Sequence, residues 1–216
     1  GDLQLAPGQH LILWADDTID QGADHLSFRL SAAGEGVYLF APDGETLLTS
    51  VSFNEQVRDV SYARKSDGSA EWVYSAVATA GQANGDPNTQ SLLRFNEFVE
   101  TNSGYAADEM GEYDPWMEIF NPLPVAIPLD QLEIQLTGTT NGLWEFSSQV
   151  VPPGHQLVWF DGQQEQGEFH APFDLGPGPS SLELIFTATG QSIDHLTWPA
   201  TPEPGAIARM PDGVGS

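Results

Sequence analysis

The chain has no cysteine, which excludes disulfide staples, thiolate metal sites and a cysteine nucleophile together. It is almost as poor in positive charge, with 6 Lys+Arg against 31 Asp+Glu and a formal net charge of −25. A surface this negative repels phosphates and anionic lipids, so nucleic acid and a membrane surface are poor partners. No apolar run approaches the ~18–20 residues that span a bilayer as a helix, so membrane insertion is not expected. An initiator Met and a charged-then-apolar leader are also missing, and the opening "GDLQLAPGQH" reads as a mature or excised fragment. Helical periodicity is absent too: no stretch of ten or more residues carries an apolar stripe at helical spacing.

What is present is a large number of short strand-like segments. "LLRFNEFVE" (92–100), "WMEIF" (116–120), "LEIQL" (132–136), "GLWEFSS" (142–148), "HQLVWF" (155–160), "SLELIF" (181–186) and "IDHLTW" (193–198) are each bounded by turn-forming residues, and several alternate apolar with polar side chains. With 22 Gly and 16 Pro scattered between them, this pattern predicts an all-β protein, a sandwich or barrel.

The sequence also repeats itself. "HLSFRLSAAGEGVYLF" (25–40) lies without gaps over "HAPFDLGPGPSSLELI" (170–185), His25 falling on His170 at an offset of 145 residues. In that register Phe53 meets Trp198 and "ARKSDG" (63–68) meets "ARMPDG" (208–213). Upstream, a one-residue shift brings "PGQHLILW" (7–14) over "PGHQLVWF" (153–160), leaving His10 and His155 one residue apart. The expected organisation is two units, 1–84 and 92–216, joined by a turn-rich linker at 85–91. The first unit lacks the strands that open the second. The second stops soon after "ARMPDG", where the first goes on with "SAEWVYSAVATA" (69–80). That surplus suggests head-to-tail strand complementation between neighbouring chains.

The order of "LLRFNEFVETNSG", "YDPWMEIFNP", "LDQLEIQL", "VPPGHQLVWFDG" and "FHAPFDLGPGPSSLELIF" resembles the lamin-tail domain family. The first unit is similar to the second half of the bacterial secreted version, and Gln131-Leu132 and Thr79-Ala80-Gly81 depart from the family pattern. The resemblance implies an immunoglobulin-like β-sandwich, an extracellular or cell-surface bacterial setting, and a module without shared catalytic machinery. The expected role is therefore a non-enzymatic structural, adhesion or assembly module working through protein partners. The alternative is a calcium- or carbohydrate-binding accessory domain of a larger secreted enzyme.

Three groups of charged residues invite chemistry. Asp16, Asp17, Asp20 and Asp24 share one loop, and Ca²⁺ takes six to eight such oxygens, although the spacing is not that of an EF-hand. Glu97, Asp114 and Glu118 form a second candidate Ca²⁺ set. Glu97 and Glu118 also face each other if their strands pair antiparallel, and two adjacent carboxylates need a proton or a cation between them. Arg64 and Arg209, at matching repeat positions, are candidates to neutralise Glu97 or Glu118 as a structural ion pair. The loop "DEMGEYD" (108–114) reads as a further solvated or cation-binding loop. The repeated histidines point to packing or hydrogen bonding, and the six Trp to the core or, if exposed, to carbohydrate. Neither a G-x-S-x-G turn nor a zinc-type His spacing occurs.

Overall fold

The computed structural model describes residues 5–58, 60–85, 89–138, 142–176, 180–199 and 205–214. These residues are all-β, with antiparallel sheets and two three-residue 3-10 turns, Gln90–Leu92 and Gln164–Gln166. The chain divides into two compact units, Gly1–Asn88 and Thr89–Ser216.

Unit 1 contains two separate hairpins. β1 (Glu35–Phe40) pairs with β2 (Leu47–Phe53), and β3 (Ser61–Arg64) with β4 (Trp72–Ser75). The turn of the first hairpin is held by Asp43, whose carboxylate accepts from the Thr46 hydroxyl and from the amides of Thr46 and Glu45. Those bonds favour the anion and bring the Asp43 pKa down to about 2. Part of the surplus segment 69–80 is thus engaged inside its own unit, as β4 against β3.

Unit 2 is a sandwich. β5 (Arg94–Val99), β6 (Trp116–Asn121), β11 (Gly154–Trp159) and β14 (Ile207–Ala208) make one sheet in the order β11-β6-β5-β14. β8 (Leu132–Gly138), β9 (Gly142–Glu145), β12 (Ser180–Phe186) and β13 (Ser192–Trp198) make the other in the order β13-β12-β8-β9. β7 (Ile127–Pro128) and β10 (Val150–Val151) form a small third ribbon. Alternation along the strands sends Phe98, Met117, Ile119, Ile134, Leu136, Leu182 and Leu184 inward, and the register shift between Phe95 and Glu97 lets Phe95 join them; all are buried. Phe98 and Trp198 meet across the sheets at 4.7 Å between ring centroids. Buried Asn121 ties the ribbon to β6, its amide donating to the carbonyls of Val125, Val151 and Pro152.

The 145-residue repeat is visible as geometry. β1–β2 and β12–β13 share one register: Glu35 faces Phe53 as Ser180 faces Trp198, and Val37 faces Val51 as Leu182 faces Leu196. Even the irregularity recurs, between Leu39 and Phe40 in one hairpin and Leu184 and Ile185 in the other. Upstream, Trp14 bridges His25 as Trp159 bridges His170. The offset there is the same 145, so the one-residue shift expected from "PGQH" and "PGHQ" is not needed. His10 pairs with Asp67 as His155 pairs with Asp212, at 3.1 and 3.3 Å.

Candidate metal centre

The repeat sets the frame of the site. In each unit a bend returns the chain under a Trp, and an Asp on the first arm receives the ring of a His on the second. His25 Nδ1 lies 2.8 Å from Asp16 Oδ2, and His170 Nδ1 lies 2.5 Å from Asp161 Oδ2. The rings stack on Trp14 and Trp159, each at 6.3 Å. In unit 2 this clip is sealed: the side chains of His170 and Asp161 are 0% and 1% exposed. His170 also reaches Glu109 through Nε2, at 3.0 Å. Burial, the largest influence, pulls the His170 pKa down, yet the two carboxylates prevail and raise it. The imidazole in turn lowers the pKa of Glu109.

Glu109 belongs to the loop 108–114, which has no counterpart in unit 1 and closes on itself. The Asp108 amide donates to the Glu112 carbonyl at 3.0 Å, and Gly111 turns back to the Asp108 carbonyl. Gly111 has φ 85°, a conformation that favours glycine. Asp108 Oδ1 accepts the amides of Met110 and Glu112, at 2.9 and 2.7 Å. The other oxygen, Asp108 Oδ2, is buried and has no hydrogen-bond partner; the same is true of Asp114 Oδ2 and of Gln166 Oε1. Gln166 is anchored by its amide to Glu112 Oε2 at 3.0 Å. Ligand oxygens of Asp108, Glu112 and Asp114 all lie within 4.8 Å of one another. Burial, then the charges of Asp161, Glu112 and Asp108, raise the Asp114 pKa. Several carboxylates held this close, with oxygens removed from water, take up a proton or a hard cation.

All three residues of this cluster lie in the loop "DEMGEYD" singled out in the sequence, and Asp114 is the one member also named in the Glu97, Asp114 and Glu118 set. Asp16, Asp17, Asp20 and Asp24 do not converge: among the described residues no three of them bring ligand oxygens together. Asp16 is committed to His25 and to the Thr18 amide. Glu97 and Glu118 do face each other across β5 and β6. Asp114 does not join them, since four residues of extended chain place Glu118 ~13 Å further on. Glu118 instead accepts from Asn96 at 2.7 Å and lies 3.7 Å from His155. Glu97 has a raised pKa, from burial first and then from Glu118 and Asp212.

The ion pair expected between the repeated arginines and these glutamates is corrected. Arg209 forms a two-pronged pair with Asp194, at 2.7 and 2.8 Å. Ala208 faces Glu97 in the ladder, so the next residue, Arg209, projects to the opposite face, toward β13. Arg64 is engaged within unit 1. Its guanidinium donates to the Ser69 carbonyl and to Thr49 Oγ1 and lies 4.8 Å from the Trp72 ring centroid. Thr49 and Asp194 are equivalent in the repeat, so the arginine reaches the same place twice and finds a carboxylate only once. Asp194 was missed in the sequence; its signal is an acidic residue inside an otherwise strand-forming "IDHLTW".

No protein-family model matches the chain, and no curated protein does.

Proposed function

We propose that this chain is a non-enzymatic architectural and binding module of an extracellular bacterial protein, and that unit 2 takes a calcium ion in the loop 108–114. The observation that carries the cation reading is that Asp108 and Asp114 each keep a buried, unpartnered carboxylate oxygen, while ligand oxygens of Asp108, Glu112 and Asp114 lie within 4.8 Å of one another. An unsatisfied buried acceptor costs about 1–3 kcal/mol, and more when charged, so a hard cation that satisfies both is strongly favoured there. Gln166 Oε1, also unpartnered, is an additional neutral donor, and an all-oxygen set suits calcium.

The non-enzymatic reading is supported by repetition. The buried Asp161–His170 pair has a twin in Asp16–His25, stacked on a Trp in the same way. A motif that recurs with the fold, including where no three acidic residues bring their ligand oxygens together among the described residues, suits packing rather than chemistry. The net charge of −25 and the ordered likeness to secreted lamin-tail domains support the extracellular setting.

The test is thermal unfolding of the whole chain, with calcium added to chelator-treated protein. Calcium at a hundredfold excess over Kd stabilises by about 2.7 kcal/mol, a rise of several degrees in Tm. The rise is expected to saturate and to vanish in Asp114→Asn. An absent shift, or an equal shift in the variant, overturns the reading.

A further inference from the structure

The Asp–His pair recurs in both units and fixes the ring; what unit 2 adds lies on the other ring nitrogen. Asp161 holds His170 by Nδ1, at 2.5 Å, and both side chains are buried. The second nitrogen, Nε2, meets Glu109 Oε2 at 3.0 Å. Asp108 comes to the same place. Ligand atoms of Asp108, Glu109 and His170 lie within 4.8 Å of one another, and the twin His25 belongs to no such group among the described residues. Asp108 Oδ2 is buried and has no partner. Gly167 leaves the room for this approach: a Cβ there would lie 2.9 Å from the His170 ring and 3.2 Å from Glu109 Oε1.

We propose that Asp108, Glu109 and His170 bind a divalent transition metal of the zinc type. A histidine that ligates a metal nearly always gives its other ring N–H to a carboxylate or carbonyl, which fixes the tautomer. Asp161 stands at Nδ1 to accept that proton and leaves Nε2 as the ligand. Two ligands held by one zinc at ~2.0–2.1 Å lie roughly 2.9–3.4 Å apart, and Nε2 and Glu109 Oε2 already have that spacing. The ion takes the place of the proton between these two atoms, and the proton leaves to solvent. An imidazole in the set favours zinc over calcium or magnesium, which take oxygen ligands. The Glu109 side chain is 62% exposed and gives the ion a way in. No local spacing announces the site, because Glu109 and His170 are 61 residues apart. The assignment does not rest on the calcium reading; Asp108 is common to both.

The test is a zinc titration of the chelator-treated full chain, followed by calorimetry and by the NMR shifts of the His170 ring nitrogens. The ring is read directly because exposed histidines elsewhere also take up zinc. Saturable binding is expected, with release of a proton and a shift of Nε2. Glu109→Ala should weaken it by more than the ~10–100-fold that loss of a group orienting a ligand costs. Glu109→Gln keeps an acceptor for Nε2, so the fold is safe, and it should weaken zinc in the same direction. Asp114→Asn, chosen to end the calcium response, should still bind zinc at His170. Zinc that leaves the His170 ring unmoved, or that binds both Glu109 variants as tightly as the parent, overturns the proposal. So does zinc lost in Asp114→Asn but kept in Glu109→Ala, which places the ion in the calcium cluster. A calcium response that fails while zinc still shifts His170 removes the calcium reading and upholds this one.

Discussion

β1–β2 and β12–β13 are the same hairpin twice, down to the position of the irregular pair, yet one is surface and the other core. Among the described residues, Tyr74 is the only buried apolar residue of unit 1, whereas unit 2 buries apolar residues from most of its strands. The difference teaches that local sequence sets register while distant strands set burial. Turn chemistry and alternation are the same in both copies. What differs is that the segment 92–148 brings β5, β6 and β8 over the second copy. Full burial of a Leu or Phe side chain contributes about 1.5–3 kcal/mol, so the exposed side chains of unit 1 leave much potential stabilisation unrealised.

Paired substitutions at repeat-equivalent positions test this contrast. The largest effect is expected at the hairpin ends: Trp198→Ala should cost about 3–5 kcal/mol, and Phe53→Ala only about 1 kcal/mol, by urea unfolding followed separately in each unit. Equal costs would mean that the first hairpin is buried in solution. Next come the arginines. Arg209→Ala strands the buried Asp194 carboxylate and should cost about 3–5 kcal/mol, while Arg64→Ala loses half-buried contacts to neutral groups and should cost about 1 kcal/mol. Thr49→Asp in unit 1 should then narrow that gap by giving Arg64 the carboxylate it lacks.

The smallest effect concerns Glu97, which has no twin. Its folded-state pKa is raised above the ordinary 4.5, so the folded form holds the proton more tightly than the unfolded chain. Stability therefore falls as pH rises from the unfolded pKa through the folded one. Glu97→Gln removes that penalty: it should leave Tm unchanged below pH 4.5 and raise it by about 1–3 °C at pH 7. A gain at low pH as well would assign the effect to packing rather than charge.

The seven longer strands of unit 2 were legible because alternation and turn residues are local signals, whereas β1–β4 of unit 1 and the two-residue strands β7, β10 and β14 were not named. "WMEIF", "LEIQL" and "SLELIF" each contain or fall within an observed strand, and the repeat foretold the shared hairpin. The facing of Glu97 and Glu118 followed from antiparallel pairing and the two-residue period alone. Partners fixed by tertiary approach were not legible. Arg209 was assigned to glutamates of β5 and β6 that lie on the opposite face of its sheet, because no local pattern announces Asp194 on β13. Calcium ligands were sought at Asp16–Asp24, at Glu97, Asp114 and Glu118, and in the loop 108–114, and local charge density could not choose among them. The cluster that converges is Asp108, Glu112 and Asp114, through a turn whose closure depends on Asp108 Oδ1 binding two amides. The equivalence of His10 and His155 was hidden by the chance similarity of "PGQH" to "PGHQ", which invited a gap.

The tail of unit 2 acts as a latch. Arg209 neutralises Asp194, and the Gly213 amide caps Asn96 Oδ1. Trimming the chain after Ala206 would thus do more than shorten it. Asp194 would keep the amides of Phe95 and His195 but lose its counter-ion, leaving a buried carboxylate charge between the two sheets without its neutralising partner.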